Sequence, residues 1–178
     1  MLMINEKVER LLNEQVTYEL YSAQLYLSMS SWFASKDLDG FAKWYYAQAY
    51  EEKAHAMIIY NYIITAGGRA LLEPIDAPPH EWESLSNLFD EHVKHEELVT
   101  SLIYNIVDVS RQEKDFKVDQ FFQWFVEEQV EEEENANRIK GRYEALARDG
   151  KALYLMDQEM GTRVYAPPAL LTTMEAGE

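Results

Sequence analysis

The sequence predicts an all-α protein: a four-helix bundle with a long crossover between helices 2 and 3 and a short C-terminal fifth helix. Three observations predict it. Apolar residues recur at alternating spacings of four and three over long stretches, and no alternating strand-like pattern persists. Glycine and proline cluster at Gly67-Gly68, Pro74, Pro78-Pro79, Gly150, Gly161 and Pro167-Pro168, leaving the stretches between them free to stay helical. The breaks are of two kinds, short ones that make hairpins and one long one.

Asn5 is the expected cap of a first helix that runs to Ala34. After Ser35-Lys36-Asp37-Leu38, and near the short break marked by Gly40, Asp39 is expected to cap a second helix ending at Ala66, with Gly67 as the stop. Residues 67–83 form a loop with three prolines. At about 3.3 Å per residue this loop extends roughly 56 Å, more than the length of a bundle helix, so helices two and three can run parallel. Ser84 caps the third helix, to Gln112, and Asp115 the fourth, which ends near Arg148. The fifth helix spans Lys151 to Met160, and residues 161–178 are expected to be an irregular tail. One domain, 1–178, is expected, with the bundle over about 5–148.

Composition removes several functions. Sixteen basic residues against thirty-two acidic ones give a formal charge of −16, which repels nucleic-acid phosphates and anionic membranes and attracts cations. With no cysteine, disulfides, thiolate metal sites and cysteine nucleophiles are excluded, and a reducing cytoplasm is the expected location. The start Met1-Leu2-Met3-Ile4-Asn5-Glu6 lacks a signal-peptide pattern, and no apolar run is long enough for a membrane span.

Each helix carries a buried stripe interrupted once near its middle. The stripes run Val8, Leu12, Gln15, Glu19, Ser22, Tyr26 in the first helix and Tyr45, Gln48, Glu52, His55, Ile59 in the second. They run Phe89, His92, Glu96, Val99 in the third and Phe125, Gln129, Glu132, Ala136 in the fourth. Counted from the hairpin turns, the polar positions fall at nearly equal depth. Glu19, Glu52, Glu96 and Glu132 should therefore meet in one layer with His55 and Gln129. Buried like charges a few ångströms apart raise each other's pKa values, and four carboxylates match two divalent cations. Hard oxygens with one imidazole suit iron or manganese, with zinc a competitor. Glu52-x-x-His55 places two donors on one helical face.

Neighbouring groups have blander readings. In the run Glu131–Glu134 only Glu132 lies on the seam, and Glu133 and Glu134 are expected at the surface. Glu51, Glu128 and Glu131 form either an adjacent third cation site or exposed acids. His92 and His95 are expected to be satisfied or exposed, not ligands, and His80 has no visible role. Tyr26 is a core tyrosine bonded to a carboxylate or a redox-active phenol, and Trp124 is equally open. The scattered methionines suggest no haem.

The stretches Glu19-Leu-Tyr-Ser-Ala-Gln-Leu-Tyr26, Gln48-Ala-Tyr-Glu51-Glu52-Lys-Ala-His55, Lys94-His-Glu96 and Glu127-Glu128-Gln129-Val-Glu131-Glu132 make the chain resemble a non-haem ferritin of the bacterial and archaeal type. The resemblance covers nearly the whole length. It implies a ferroxidase centre that oxidises Fe(II) with O2. Glu19, Glu52 and His55 would hold one iron. Glu52 would bridge to a second iron completed by Glu96 and Glu132, with Gln129 beside it. Glu51, Glu128 and Glu131 would match a third iron site, and Tyr26 the tyrosine beside the centre. It also implies iron storage and detoxification as Fe(III) mineral in a homo-oligomeric cage of 24 subunits. A second E-x-x-H, typical of bacterioferritins and rubrerythrins, is missing from the fourth helix. Two alternatives stand beside this: a di-metal carboxylate oxidase acting on an organic substrate, and a metal-free structural bundle.

Overall fold

The structure is a computed structural model and describes residues 4–146 and 149–176. It contains α1 (Glu6–Ala34), α2 (Asp39–Thr65), α3 (Leu85–Gln112), α4 (Phe116–Leu146), α5 (Gly150–Met160) and α6 (Ala169–Ala176), and no strand among the described residues. The expected helix end near Arg148 and the start Met1-Leu2-Met3 lie outside the described residues. No described helix is long and apolar enough to cross a membrane.

α1–α2 and α3–α4 are the two hairpins. Three helices end in the same way, with one residue in the left-handed region: Asp37 at φ 57°, Lys114 at φ 59° and Gly67 at φ 85°. The following N–H then reaches back to the last turn, from Leu38 to Phe33 O (3.1 Å), Asp115 to Ser110 O (2.8 Å) and Gly68 to Ile63 O (2.9 Å). That reversal is tight enough to lay each hairpin's second helix directly against its first.

The long loop travels along α1. Arg69 N–H donates to Glu9 (2.7 Å) and Leu71 N–H to Asn13 Oδ1 (2.6 Å), while further on Ser28 Oγ donates to Pro79 O (2.6 Å). Trp82 then packs edge-on against Trp32, with centroids 5.9 Å apart. The loop thus climbs from the start of α1 to its end, and α2 and α3 run parallel as its length allows.

Two apolar blocks fill the bundle. One is mainly aliphatic, built on Val8, Leu12, Ile58, Ile59, Ile63, Val99 and Ile103 with Phe122 and Phe125. The other is aromatic, with Tyr26, Phe33, Phe41, Trp44, Tyr45 and Phe89 at its centre. Each four-helix stripe crosses between the blocks at its polar interruption, so the blocks sandwich the predicted layer.

Three sequence expectations are corrected at the helix ends. Asp39 does not cap α2; it is the first helical residue, and the cap position, Leu38, makes no side-chain bond. The acceptor comes from α5 instead, where the buried Asp157 Oδ1 takes the Phe41 N–H at 2.9 Å. Asp115 does stand at the cap position of α4, its carbonyl accepting the Asp119 N–H (3.2 Å), but its carboxylate accepts from Asn5 N–H (3.3 Å) and so ties the hairpin turn to the start of α1. The tail, expected to be irregular, carries α6, because Leu171 finds a place in the aliphatic block. Asn5, Ser84 and Asp149 do cap α1, α3 and α5. From α5 the chain passes along α2 through residues 161–168 to α6, so the tail is a strap held at both ends.

Gly40 is required by this docking. A Cβ there would sit 1.6 Å from the Asp157 carbonyl oxygen. Gly40→Ala should therefore push α5 off α2 and cost about 1–3 kcal/mol. Thermal unfolding reads the loss; hydrogen exchange at Phe41 should accelerate with it, and an unchanged melt would contradict the close approach.

Candidate metal centre

Each helix delivers its polar residue to the layer because its apolar stripe fixes the rotation of the helix about its axis. Glu19, Glu52, His55, Glu96, Gln129, Glu132 and Tyr26 are all at most 4% exposed. Donor atoms of Glu19, Glu52 and His55 lie within 4.8 Å of one another, and so do those of Glu52, Glu96 and Glu132. Glu52 belongs to both groups, so the structure brings together the two triads with a common carboxylate.

Neutral donors orient the acids. Gln15 Nε2 donates to Glu19 Oε1 (2.9 Å), and Gln48 Nε2 to both Glu52 Oε1 (2.9 Å) and Glu132 Oε2 (2.8 Å). Tyr26 OH donates to Glu96 Oε1. Gln129 Nε2 is 3.4 Å from Glu96 Oε2 and 3.1 Å from Thr100 Oγ1. These bonds fix geometry while leaving the negative charge in place.

That charge has a cost that shows in the proton affinities. Burial, then the Glu52 charge, pushes both Glu19 and Glu132 up to about 8. Burial and the same neighbour push Glu96 well above the carboxylate range. Burial also opposes ionisation of Glu52, but the hydrogen bond and charge of His55 hold its pKa down. His55 resists charging through burial, yet Glu52, by hydrogen bond and charge, lifts it to about 10. Protons thus stand in for cations in the layer. Glu19 Oε2 and His55 Nε2 are buried with no hydrogen-bond partner among the described residues. Glu19 belongs to the first triad, while His55 turns Nδ1 towards Glu52 Oε2 (3.6 Å) and Nε2 towards Glu128 Oε2 (4.0 Å); carboxylate oxygens and an imidazole nitrogen are donors suited to a first-row divalent metal.

The adjacent acids only partly follow expectation. A third group within 4.8 Å consists of Glu51, His55 and Glu128, with His55 standing where Glu131 was expected. Glu131 is exposed, along with Glu134, whereas Glu133 is half-buried and accepts from Thr100 Oγ1 (2.5 Å). His92 and His95 are buried: Tyr45 OH lies 3.0 Å from His92 Nδ1, and Ser22 Oγ 2.8 Å from His95 Nε2. Burial, then His95, lowers the His92 pKa to about 3, and neither ring joins a triad. His80 is exposed in the loop. Trp124 stands edge-on to His55 at 5.5 Å, fixing the ring from the side.

Sequence reasoning gave no role to Gln15, Gln48, Thr100 or Arg163. The two glutamines had a signal, since each lies four residues before its glutamate, Gln15 before Glu19 and Gln48 before Glu52. Arg163 had none. It lies on the strap, with its guanidinium on Gln48 and Glu51.

Comparison with known proteins agrees with this fold. A family model described as a ferritin-like domain matches residues 9–145. A probable bacterial non-heme ferritin-like protein of Haemophilus influenzae is 39% identical over 159 residues, covering 89% of this chain and 96% of that one. A bacterial non-heme ferritin of Bacteroides fragilis is 38% identical over 162 residues, covering 90% and 100%. Among solved structures, an open pore ferritin from the hyperthermophilic archaeon Archaeoglobus fulgidus superposes with a TM-score of 0.89 at 42% identity, covering 90% and 98%. A humanized archaeal ferritin gives 0.91 at 42%, covering 92% and 99%.

The proton affinities set a pH dependence for the cation-free protein. Folded pKa values raised above the unfolded ones give stability that is full below the unfolded value and lost as pH rises through the folded value. Glu19 and Glu132 lose theirs between about 4.5 and about 8, and His55 between 6.5 and about 10. His92, lowered to about 3, acts oppositely and only on the acid side of 6.5. The melting temperature should therefore fall most steeply between about pH 6.5 and 8, and E19Q/E132Q should flatten the slope. Calorimetry across that range checks it; a wild-type profile that rises there would contradict the assigned protonation.

Proposed function

The chain belongs to the ferritin family, with the bacterial and archaeal non-heme ferritins among its relatives, and from that premise we propose that it stores and detoxifies iron. In this reading Fe(II) is the substrate, two ions enter the buried layer, and dioxygen oxidises them there. Each Fe(II) gives up one electron, and O2 takes two electrons and two protons to become hydrogen peroxide. The Fe(III) product passes to mineral inside a homo-oligomeric cage, which the family relationship suggests has 24 subunits. A cytoplasmic location goes with this role.

The single observation that carries the proposal is the pair of triads sharing Glu52, buried between two apolar blocks. Glu19, Glu52 and His55 would hold one ion; Glu52, Glu96 and Glu132 the other. The shared carboxylate would hold the two ions side by side, the arrangement a two-electron transfer to one O2 requires. Gln48 and Gln15 hold the carboxylates in place, and His55 turns Nδ1 to the shared Glu52 at 3.6 Å. Arriving cations displace protons from Glu19, Glu96, Glu132 and His55, and oxygen reduction takes up two of them in the same layer. Tyr26, bonded to Glu96, stands ready as an additional one-electron donor. The third group at Glu51, His55 and Glu128 offers a further iron site beside the pair.

An oxidase of organic substrates would need room beside the metals. The opening at Gln129, lined by Tyr104, Val130, Glu133, Glu134 and Asn137, is about 280 Å³, small for an organic substrate. The metal-free alternative leaves unexplained why two buried donor triads share one carboxylate.

Stopped-flow oxidation of Fe(II) tests the centre. An E52A/H55A double change should slow the fast phase by about a hundredfold or more, given two lost donors and a broken bridge. Unchanged fast oxidation would remove this layer from the reaction. Storage is tested separately by sedimentation: only monomers and dimers in every ordinary salt would reject the cage while leaving the oxidation intact.

A further inference from the structure

Arg163 reaches the acidic layer from outside the four-helix bundle. It lies on the strap between α5 and α6, with its side chain 22% exposed. Nη1 donates to Gln48 Oε1 at 2.6 Å, and Nη2 donates to the Glu51 carboxylate. The guanidinium sits over Trp44, 4.3 Å from the ring centroid, and two residues on Tyr165 packs against Tyr50 at 5.7 Å. The side chain is therefore fixed in position and in plane.

The chemistry of the two groups determines what this does to Gln48. A guanidinium has five N–H donors and no acceptor. Gln48 must turn its oxygen outward to meet it, which leaves Nε2 pointing inward. There it donates to Glu52 at 2.9 Å and Glu132 at 2.8 Å. The opposite amide orientation would set a carbonyl oxygen against two carboxylate oxygens. We propose that Arg163 is a positioning residue of the paired centre: by fixing the amide orientation of Gln48, it aims the shared carboxylate of Glu52 and that of Glu132 at the two cations. Its second arm occupies Glu51, a corner of the third group. One side chain thus strengthens the pair and competes with a cation at the third site.

The proposal rests on the two-cation reading of the layer, and Co(II), which is redox-silent here and coloured, tests both apart. Co(II) is titrated into cation-free protein while its visible absorption is followed. Wild type should take up two ions per chain with saturating bands. R163Q should weaken those two by about tenfold, the low end for loss of an outer hydrogen-bonding partner. It should also tighten a third, weaker equivalent. R163K, with one point donor in place of a fork, should recover part of the affinity. In a Q48M background R163Q should add no more than about twofold to the loss at the pair, because the effect travels through Gln48. Melting temperatures measured alongside separate this from general unfolding. R163Q binding Co(II) as wild type does, or weakening it equally with and without Gln48, overturns the role of Arg163. Wild type that takes up no Co(II) overturns the two-cation reading itself.

Discussion

Four carboxylates at one level of a dry core are the constraint around which this molecule is arranged. Each would cost several kcal/mol if left charged and alone. The protein does not cancel that cost with lysine or arginine inside the layer. It supplies neutral donors, Gln15 for Glu19, Gln48 for Glu52 and Glu132, and Tyr26 and Gln129 for Glu96. Such donors hold an oxygen in place while leaving its charge available. The apolar blocks above and below keep water and its screening away, which strengthens every charge interaction in the plane. Stability of the empty protein and affinity for cations are therefore opposed: the same unrelieved repulsion weakens one and drives the other.

The fold was legible because a long amphipathic helix advertises itself at every turn, and because glycine and proline, Gly141 within α4 excepted, fall at or beside the breaks in the chain. The ligands were legible for the same reason. A glutamate inside an otherwise apolar stripe is conspicuous, and four of them at equal depth from two hairpin turns point to one place. What escaped was carried by single contacts between segments far apart in the chain. Asp39 stood in the right place to cap α2, and nothing local revealed that Asp157, more than a hundred residues later, takes that task and demands Gly40 beside it. Leu170 and Leu171 gave too short an apolar pattern to announce α6. Arg163 has no periodicity to be read from, because residues on a strap are positioned by what they land on. The exchange of Glu131 for His55 in the third group is a matter of ångströms, since helical spacing alone allows both.

The aromatic block also explains why His92 and His95 are buried and yet stand outside the triads. Tyr26 lies edge-on to both rings, at 5.2 and 5.8 Å, and Tyr45 bonds His92. Held neutral by burial, these imidazoles act as polar packing between the phenols and the carboxylates. His92 gives Tyr45, and His95 gives Ser22, a hydrogen-bonding partner without adding charge to a plane already crowded with it.

The strap between α5 and α6 gives the protein a counter-ion on a leash. A solvent cation that leaves a carboxylate is lost to the bulk, at whatever concentration the surroundings set. The Arg163 guanidinium, pinned through Gly40 and Asp157 on one side and Leu171 on the other, has nowhere to go. Its effective concentration at Glu51 is of the order of millimolar or higher, fixed by the tether and independent of the medium. Dilution, salt starvation or chelation cannot remove it, so Glu51, at the edge of the cluster, keeps a partner to fall back on.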